Sequence, residues 1–284
     1  MKILVTGYTG QLGYDVVNQG LELGLNMVGI GSKDLDITSK EAVSQYVKDV
    51  EPDAIIHCAA FTAVDKAEDD KDTCRDVNVN GTKNLAEVAK EINAKFMFIS
   101  TDYVFSGEGH LPFKETDEPN PIGYYGRTKL EGEEAVKQLL DNWFIIRISW
   151  VFGINGNNFI KTMLRLAETR DELNVVGDQF GSPTYTQDLA RLLIDMIKTD
   201  KYGIYHASND GFCSWADFAQ EIFKQANIQV KVNSISTEEY PTRAVRPKNS
   251  RMSKQKLVDN GFNPLPSWQD AVEKYLIQLT HEVK

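Results

Sequence analysis

Tyr125 has Lys129 four residues on, and none of the other tyrosines among the eleven is followed by a lysine at that spacing. On a helix the two would share a face, one turn apart. An ordinary phenol, with a pKa of about 10, is a slow acid at neutral pH. A nearby ammonium stabilises the phenolate and brings the group towards the working range. The competing explanation is a chance pair, and Ser100-Thr101-Asp102-Tyr103-Val104-Phe105 weighs against it. Ligands of open parallel sheets sit at the carboxyl ends of the strands. Thr101 closes such a run, so its hydroxyl would face the same place and could hold a carbonyl oxygen that gains charge. The chemistry is then carbonyl reduction, with hydride from a nicotinamide and a proton from Tyr125.

That chemistry needs a dinucleotide site. Gly7-Tyr8-Thr9-Gly10-Gln11-Leu12-Gly13 follows an apolar run and opens a helical pattern. Glycines there let the backbone turn tightly against a pyrophosphate, and the helix start supplies N–H donors. The spacing is one residue longer than the usual G-x-G-x-x-G. The second apolar run ends at Ile30-Gly31-Ser32-Lys33 with no acid to bind a ribose 2′-hydroxyl. Ser32 and Lys33 suit a 2′-phosphate, which favours NADPH over NADH. Asp34 and Asp36 soften that preference, and a merely solvated Lys33 stays open. Ala59-Ala60-Phe61 offers small residues where a cofactor must lie flat, and Trp150 ends the fifth run beside the substrate.

The elements that must carry these residues are legible as alternation. Strand-like runs fall at 2–6, 27–30, 54–58, 95–100 and 144–148, with helical patterns at 12–23, 39–50, 73–92 and 124–140. Thr38 and Glu41 make a capping box for the second helix. Short apolar strands between helices mean βαβ units and a parallel sheet. The expected fold is α/β: a Rossmann-type doubly wound sheet with a smaller mixed α/β substrate-binding domain. Residues 1–151 form the cofactor domain, 152–284 the substrate region, and 184–208 is a stretch that could return to the first. Helices are expected at 158–169, 187–198, 215–226 and 268–280, the last two behind Ser214-x-x-Asp217 and Ser267-x-x-Asp270. Strands are expected at 174–176, 203–206 and 229–232.

A formal net charge of −10 argues against non-specific nucleic-acid binding. Within it, Arg243, Arg246, Lys248 and Arg251 crowd nine residues that hold no acid. Such a cluster suits a nucleotide diphosphate, and a solvated loop is the equal alternative. Three dispersed cysteines imply reduced thiols and a cytoplasmic protein. The four histidines form no metal-spaced pair. Neither a secretory leader nor a membrane-length apolar run is expected.

Taken together, Thr6-Gly7-x-x-Gly10-x-x-Gly13, Thr101 and Tyr125-x-x-x-Lys129 resemble the extended short-chain dehydrogenase/reductases. Finer matches extend the resemblance along essentially the whole chain. Among them are Leu35-Asp36-Ile37-Thr38, Ala59 to Glu68, Asn157-Asn158-Phe159, Asp178-Gln179-x-Gly181-x-Pro183-Thr184 and Arg246-Pro247-x-Asn249-Ser250. The resemblance implies NADPH-dependent reduction of the C4 ketone of a dTDP-linked sugar, dTDP-4-dehydro-L-rhamnose, with NADH sometimes accepted. It implies Tyr125 as proton donor beside Lys129 and Thr101. Cofactor contacts are expected at Gly7, Gly10, Gln11, Leu12, Gly13, Ser32, Lys33, Asp36, Ile37, Ala59, Ala60, Phe61, Tyr125 and Lys129. Substrate contacts fall at Thr101, Asp102, Tyr103, Phe105, Trp150, Arg243 and Arg246.

Some relatives dimerise around magnesium held by acids. Here Asp15 matches one position, but Gln187 replaces a glutamate, and an amide is a poorer ligand for a hard cation. No metal is therefore expected, and the chain is a monomer or a homodimer. The nearest rival activities are a nucleotide-sugar dehydratase or 4-epimerase. A dehydratase would carry Asp-Glu after the threonine, where this chain has Asp102-Tyr103. A non-enzymatic regulatory subunit is the rival of another class, and the intact Thr101, Tyr125 and Lys129 count against it.

Overall fold

The computed structural model describes residues 1–282. The last two residues of the expected 152–284 region therefore lie outside the described residues. Six strands form one parallel sheet: β1 (Lys2–Thr6), β2 (Asn26–Ile30), β3 (Ala54–His57), β4 (Lys95–Thr101), β5 (Trp143–Ile148) and β6 (Gly203–His206). Their order is β6-β5-β4-β3-β1-β2. Adjacent residues face opposite sides. Ile3 and Val5 join one core with Ile56 and Met97, while Leu4 joins another with Ile55, Phe96 and Phe98. Both faces are dry, which is why these strands read as continuous apolar runs.

Helices α1 (Gln11–Glu22), α2 (Lys40–Val50), α3 (Thr82–Glu91), α4 (Tyr124–Leu139) and α5 (Thr186–Ile197) cover the sheet. Leu12, Val16 and Val17 of α1 share the first core with Leu189, Leu193 and Ile197 of α5. Val43, Val47, Leu85, Val88 and Val136 fill the second. The segment 186–206 thus crosses back: α5 lies on α1's face and β6 pairs with β5.

Much of the remaining C-terminal chain builds a smaller lobe with its own core, including Phe152, Phe218, Trp268 and Tyr275, while Leu257, Phe262 and Leu265 join the first core. Its helices are Phe159–Ala167, Trp215–Gln225 and Trp268–Glu282, beside a parallel pair of strands, Glu172–Val176 and Lys231–Ile235. The Ser214–Asp217 capping box starts the second of these helices.

Three local expectations need correction. The cap of α2 is Ser39, which accepts from Ala42 N–H; Thr38 is instead engaged with Asp36 through its N–H and hydroxyl. The strand expected at 229–232 runs over 231–235, because pairing with Glu172–Val176 decides its register. The helix expected at 73–92 is broken into Lys71–Arg75, a π-helical turn Asp76–Gly81, and α3. The wide turn pushes Asn78 towards α4, where Gly132 admits it: a Cβ there would lie 2.8 Å from the Asn78 carbonyl oxygen.

Candidate active site

All six strands end at one edge, and an open cleft of about 930 Å³ lies along it. Its floor begins at the turn after β1. Gly7 has a φ of +73°, and a Cβ there would meet Ala59 N at 2.7 Å. A Cβ on Gly13 would lie 2.3 Å from the Gly7 carbonyl oxygen, so α1 can start this close to β1 only without one. Gly10 caps α1 with no side chain, leaving the first N–H groups aimed at the cleft. Buried His57 braces the turn, with Nδ1 against Thr6 Oγ1 at 2.7 Å and Nε2 against Thr82 Oγ1 at 3.1 Å. Burial, and then the charge of Lys129, push its pKa down to about 3, so the brace is neutral.

Gly7, Gly10, Gln11, Leu12, Gly13, Ser32, Asp36, Ile37, Ala59, Ala60 and Phe61 all line the cleft. Lys33 does not: it is exposed on the turn beyond β2. Asp34 folds back to accept from Gly31 N–H, and Asp36 is taken up by Thr38. Each acid is tied to its own turn through one carboxylate oxygen, Asp34 Oδ2 and Asp36 Oδ1. Gln11 contributes its backbone here, because its side chain turns away: Oε1 accepts from Gly153 N–H and Asn158 Nδ2.

Thr101, Asp102, Tyr103, Tyr125, Lys129 and Trp150 line the same cleft. Thr101 ends β4, and Tyr125 and Lys129 lie on the first turns of α4. Glu68, from the turn after β3, supplies the acceptor for Tyr124 N–H at the bare start of α4. The Tyr125 and Tyr103 rings meet edge-on at 5.6 Å. Lys129 is 2 % exposed, with Nζ 4.0 Å from the Phe98 ring centroid. Burial brings its pKa down to about 7 against the opposing pull of Glu133, one turn further along α4.

The expected lowering of the Tyr125 phenol is reversed. Burial, and then the Asp102 carboxylate, push it up, with the Thr101 hydroxyl pulling the other way. The phenol is therefore a fully protonated donor. Asp102 is also buried, and desolvation lifts it to about 6 against the hydroxyls of Ser250 and Thr101.

Phe105 does not reach the cleft. It is 1 % exposed and stacked on Phe113 at 4.4 Å, so its role is packing. In this structure both arginines are paired with carboxylates of the first half of the chain. Arg243 pairs with Asp69 on the surface. Arg246 pairs with Asp65 at 2.6 Å and donates to the Tyr103 hydroxyl at 3.0 Å, which brings it to the cleft rim. Trp150 holds a left-handed backbone (φ 47°) and stacks on Trp215 at 3.7 Å.

Two residues that sequence reasoning gave no role support the walls. Asn78 clamps Phe61, accepting from its N–H at 2.8 Å and donating to its carbonyl at 3.3 Å. Asn155 donates to the Thr9 and Gly10 carbonyls, tying the glycine turn to the loop after Trp150. A polar residue inside an otherwise apolar helical face was the available signal for Asn78.

This architecture has known counterparts. The model of the RmlD substrate binding domain matches residues 1–281. The dTDP-4-dehydrorhamnose reductase of Escherichia coli K12 is 39 % identical over 98 % of both chains. The chain belongs to the dTDP-4-dehydrorhamnose reductase family. A solved family member from Clostridium acetobutylicum superposes with a TM-score of 0.96 at 44 % identity, covering 99 % of this chain and 100 % of that one. Another, from Bacillus anthracis in complex with NADP, gives 0.95 at 43 %, covering 98 % and 100 %.

The residues present fit that cofactor class: the turn has no room for a Cβ, the start of α1 is uncapped, and the acids after β2 are already engaged. Asp15 accepts from the Thr186 hydroxyl, and the Gln187 amide oxygen accepts from the Tyr185 hydroxyl. Among the described residues, no helix is long and apolar enough to cross a membrane.

Proposed function

We propose that this chain reduces the C4 ketone of dTDP-4-dehydro-β-L-rhamnose to the alcohol of dTDP-β-L-rhamnose, the last step in making that activated sugar. The observation that carries this is the convergence of Tyr125, Thr101 and Lys129 with the glycine turn on one cleft. NADPH, when bound, supplies the hydride. Tyr125 holds its proton firmly enough to deliver it only to an oxygen that is becoming an alkoxide. Lys129 stands one turn away to balance the phenolate that this leaves. Trp150 gives the sugar an apolar wall, and Arg246 at the rim can turn from Asp65 to the diphosphate.

With Ser32 just after β2 and Asp34 and Asp36 each tied to its own turn through one oxygen, NADPH is preferred and NADH is accepted less well. No magnesium is required, since Asp15 is already engaged and Gln187 is an amide. The protein works in the cytoplasm, as a monomer or a homodimer. Mixing protein, NADPH and dTDP-4-dehydro-L-rhamnose should bleach the reduced cofactor's absorbance. No oxidation, with cofactor binding intact, refutes the assignment. Tyr125→Phe should lower turnover by about 10²–10⁴-fold while cofactor binding persists.

A further inference from the structure

The Thr101 hydroxyl has one proton, and the Asp102 carboxylate and the Tyr125 phenol oxygen both lie within its reach. Thr101 donates to Asp102 Oδ1 at 3.0 Å and accepts from Tyr103 N–H at 3.2 Å. Asp102 is 4 % exposed, and its Oδ2 has no hydrogen-bond partner. With its proton on Asp102, Thr101 offers the cleft a lone pair. A ketone oxygen gaining charge needs a donor there.

We infer that Asp102 is a positioning residue that sets the direction of the Thr101 hydroxyl, releasing its proton to the substrate oxygen only when the carboxyl is itself protonated. The inference rests on the reductase reading above. The hydrogen-bond count supports it: a protonated Asp102 donates to Thr101 Oγ1, Tyr103 N–H continues to donate, and both lone pairs are used. The Thr101 proton is then released from Asp102 and can turn to the cleft, where the Tyr125 phenol also stands. No proton is consumed at Asp102. It stays on the carboxyl through turnover, while Tyr125 supplies the one that ends on the alcohol and is refilled from solvent.

The groups facing Asp102 are few. Tyr125 faces it from α4, the Ser250 hydroxyl from the loop at 249–251, and Thr101 and Tyr103 from its own turn. The charges of Arg246 and Asp65 lie beyond the Tyr103 ring, and Lys129 lies one turn along α4 from Tyr125. Burial is the leading influence, which places the carboxyl's titration near 6, within reach of assay.

Two measurements test the coupling. In the protein without cofactor, carbon NMR follows the Asp102 carboxyl, and Thr101→Val should raise its midpoint because the carboxylate loses a donor. In single turnovers at saturating substrate and NADPH, the wild-type rate should fall about fiftyfold more than that of Asp102→Asn between about pH 6 and 8, as the protonated share of a carboxyl titrating near 6 falls. The amide can donate to Thr101 at every pH, so that variant keeps only the fall belonging to Lys129. Thr101→Ser should retain the wild-type profile. Parallel profiles for wild type and Asp102→Asn, or a carboxyl midpoint that ignores Thr101→Val, would overturn the inference. Failure of the wild type to oxidise NADPH at any pH strikes the reductase reading instead, and the carboxyl titration still decides the coupling.

Discussion

Glu133 and Arg147 lie beneath the active site where water does not reach. Their side chains are 0 % and 1 % exposed. Arg147 donates to both carboxylate oxygens, at 2.9 and 2.7 Å, and Ser100 adds a third bond at 2.6 Å. Glu133→Gln keeps the length and one acceptor but strands a buried guanidinium. Arg147 Nη1 already lacks a hydrogen-bond partner, and the Phe105 ring, 4.9 Å away, and the more distant Glu115 carboxylate are left to offset the charge. Breaking one side of such a pair costs about 3–5 kcal/mol. At about 2 °C per kcal/mol for a chain of this length, Tm should fall by about 6–10 °C. Scanning calorimetry of Glu133→Leu, Arg147→Met and the double variant closes the cycle. The double should lose less than the two singles together, because it leaves no orphan charge. A loss under about 2 °C for Glu133→Gln, or a double worse than additive, refutes the reasoning. Glu133 is also the main charge holding up the Lys129 ammonium against burial. The alkaline limb of turnover should therefore move to lower pH in Glu133→Gln.

Gly13→Ala should weaken NADPH binding about tenfold or more, read by cofactor fluorescence, since its Cβ meets Gly7 backbone that can yield only by opening the turn. An unchanged Kd would remove that turn from the cofactor site. Trp215→Ala takes away the ring stacked on Trp150, and KM for the sugar nucleotide should rise about two- to tenfold with cofactor Kd unmoved. His57 has a native pKa below its unfolded value, so above pH 6.5 it is neutral in both states. As pH falls from there to about 3 the unfolded chain binds a proton that the native state refuses, and stability drops by about 4 kcal/mol in all. Urea midpoints between these pH values should fall less steeply in His57→Gln than in the wild type; equal slopes would show that the bracing histidine titrates normally.

Much of the site was legible because its chemistry is local in sequence. Tyr125 and Lys129 need only one helix to meet, and Gly7, Gly10 and Gly13 need only one turn. Side chains whose partners are distant in sequence were not legible. Gln11 sits within the glycine turn yet bonds Gly153 and Asn158, more than 140 residues on. Phe105 follows the threonine motif, but Phe113 and His206 claim it for the core. Arg243 and Arg246 look unopposed in a stretch without acids, while Asp69 and Asp65 approach from the first domain.

The sequence alone determined the parallel sheet, the dinucleotide turn and the Tyr125–Lys129 pair, because periodicity and short spacing encode strands, turns and helix faces directly. Tertiary structure alone decided how each of these groups is charged and which way it points. Burial reverses the shift expected for Tyr125 and halts Lys129 near neutrality. Desolvation and hydrogen-bond direction depend on what surrounds an atom on all sides, and several separate segments of the chain supply those surroundings here.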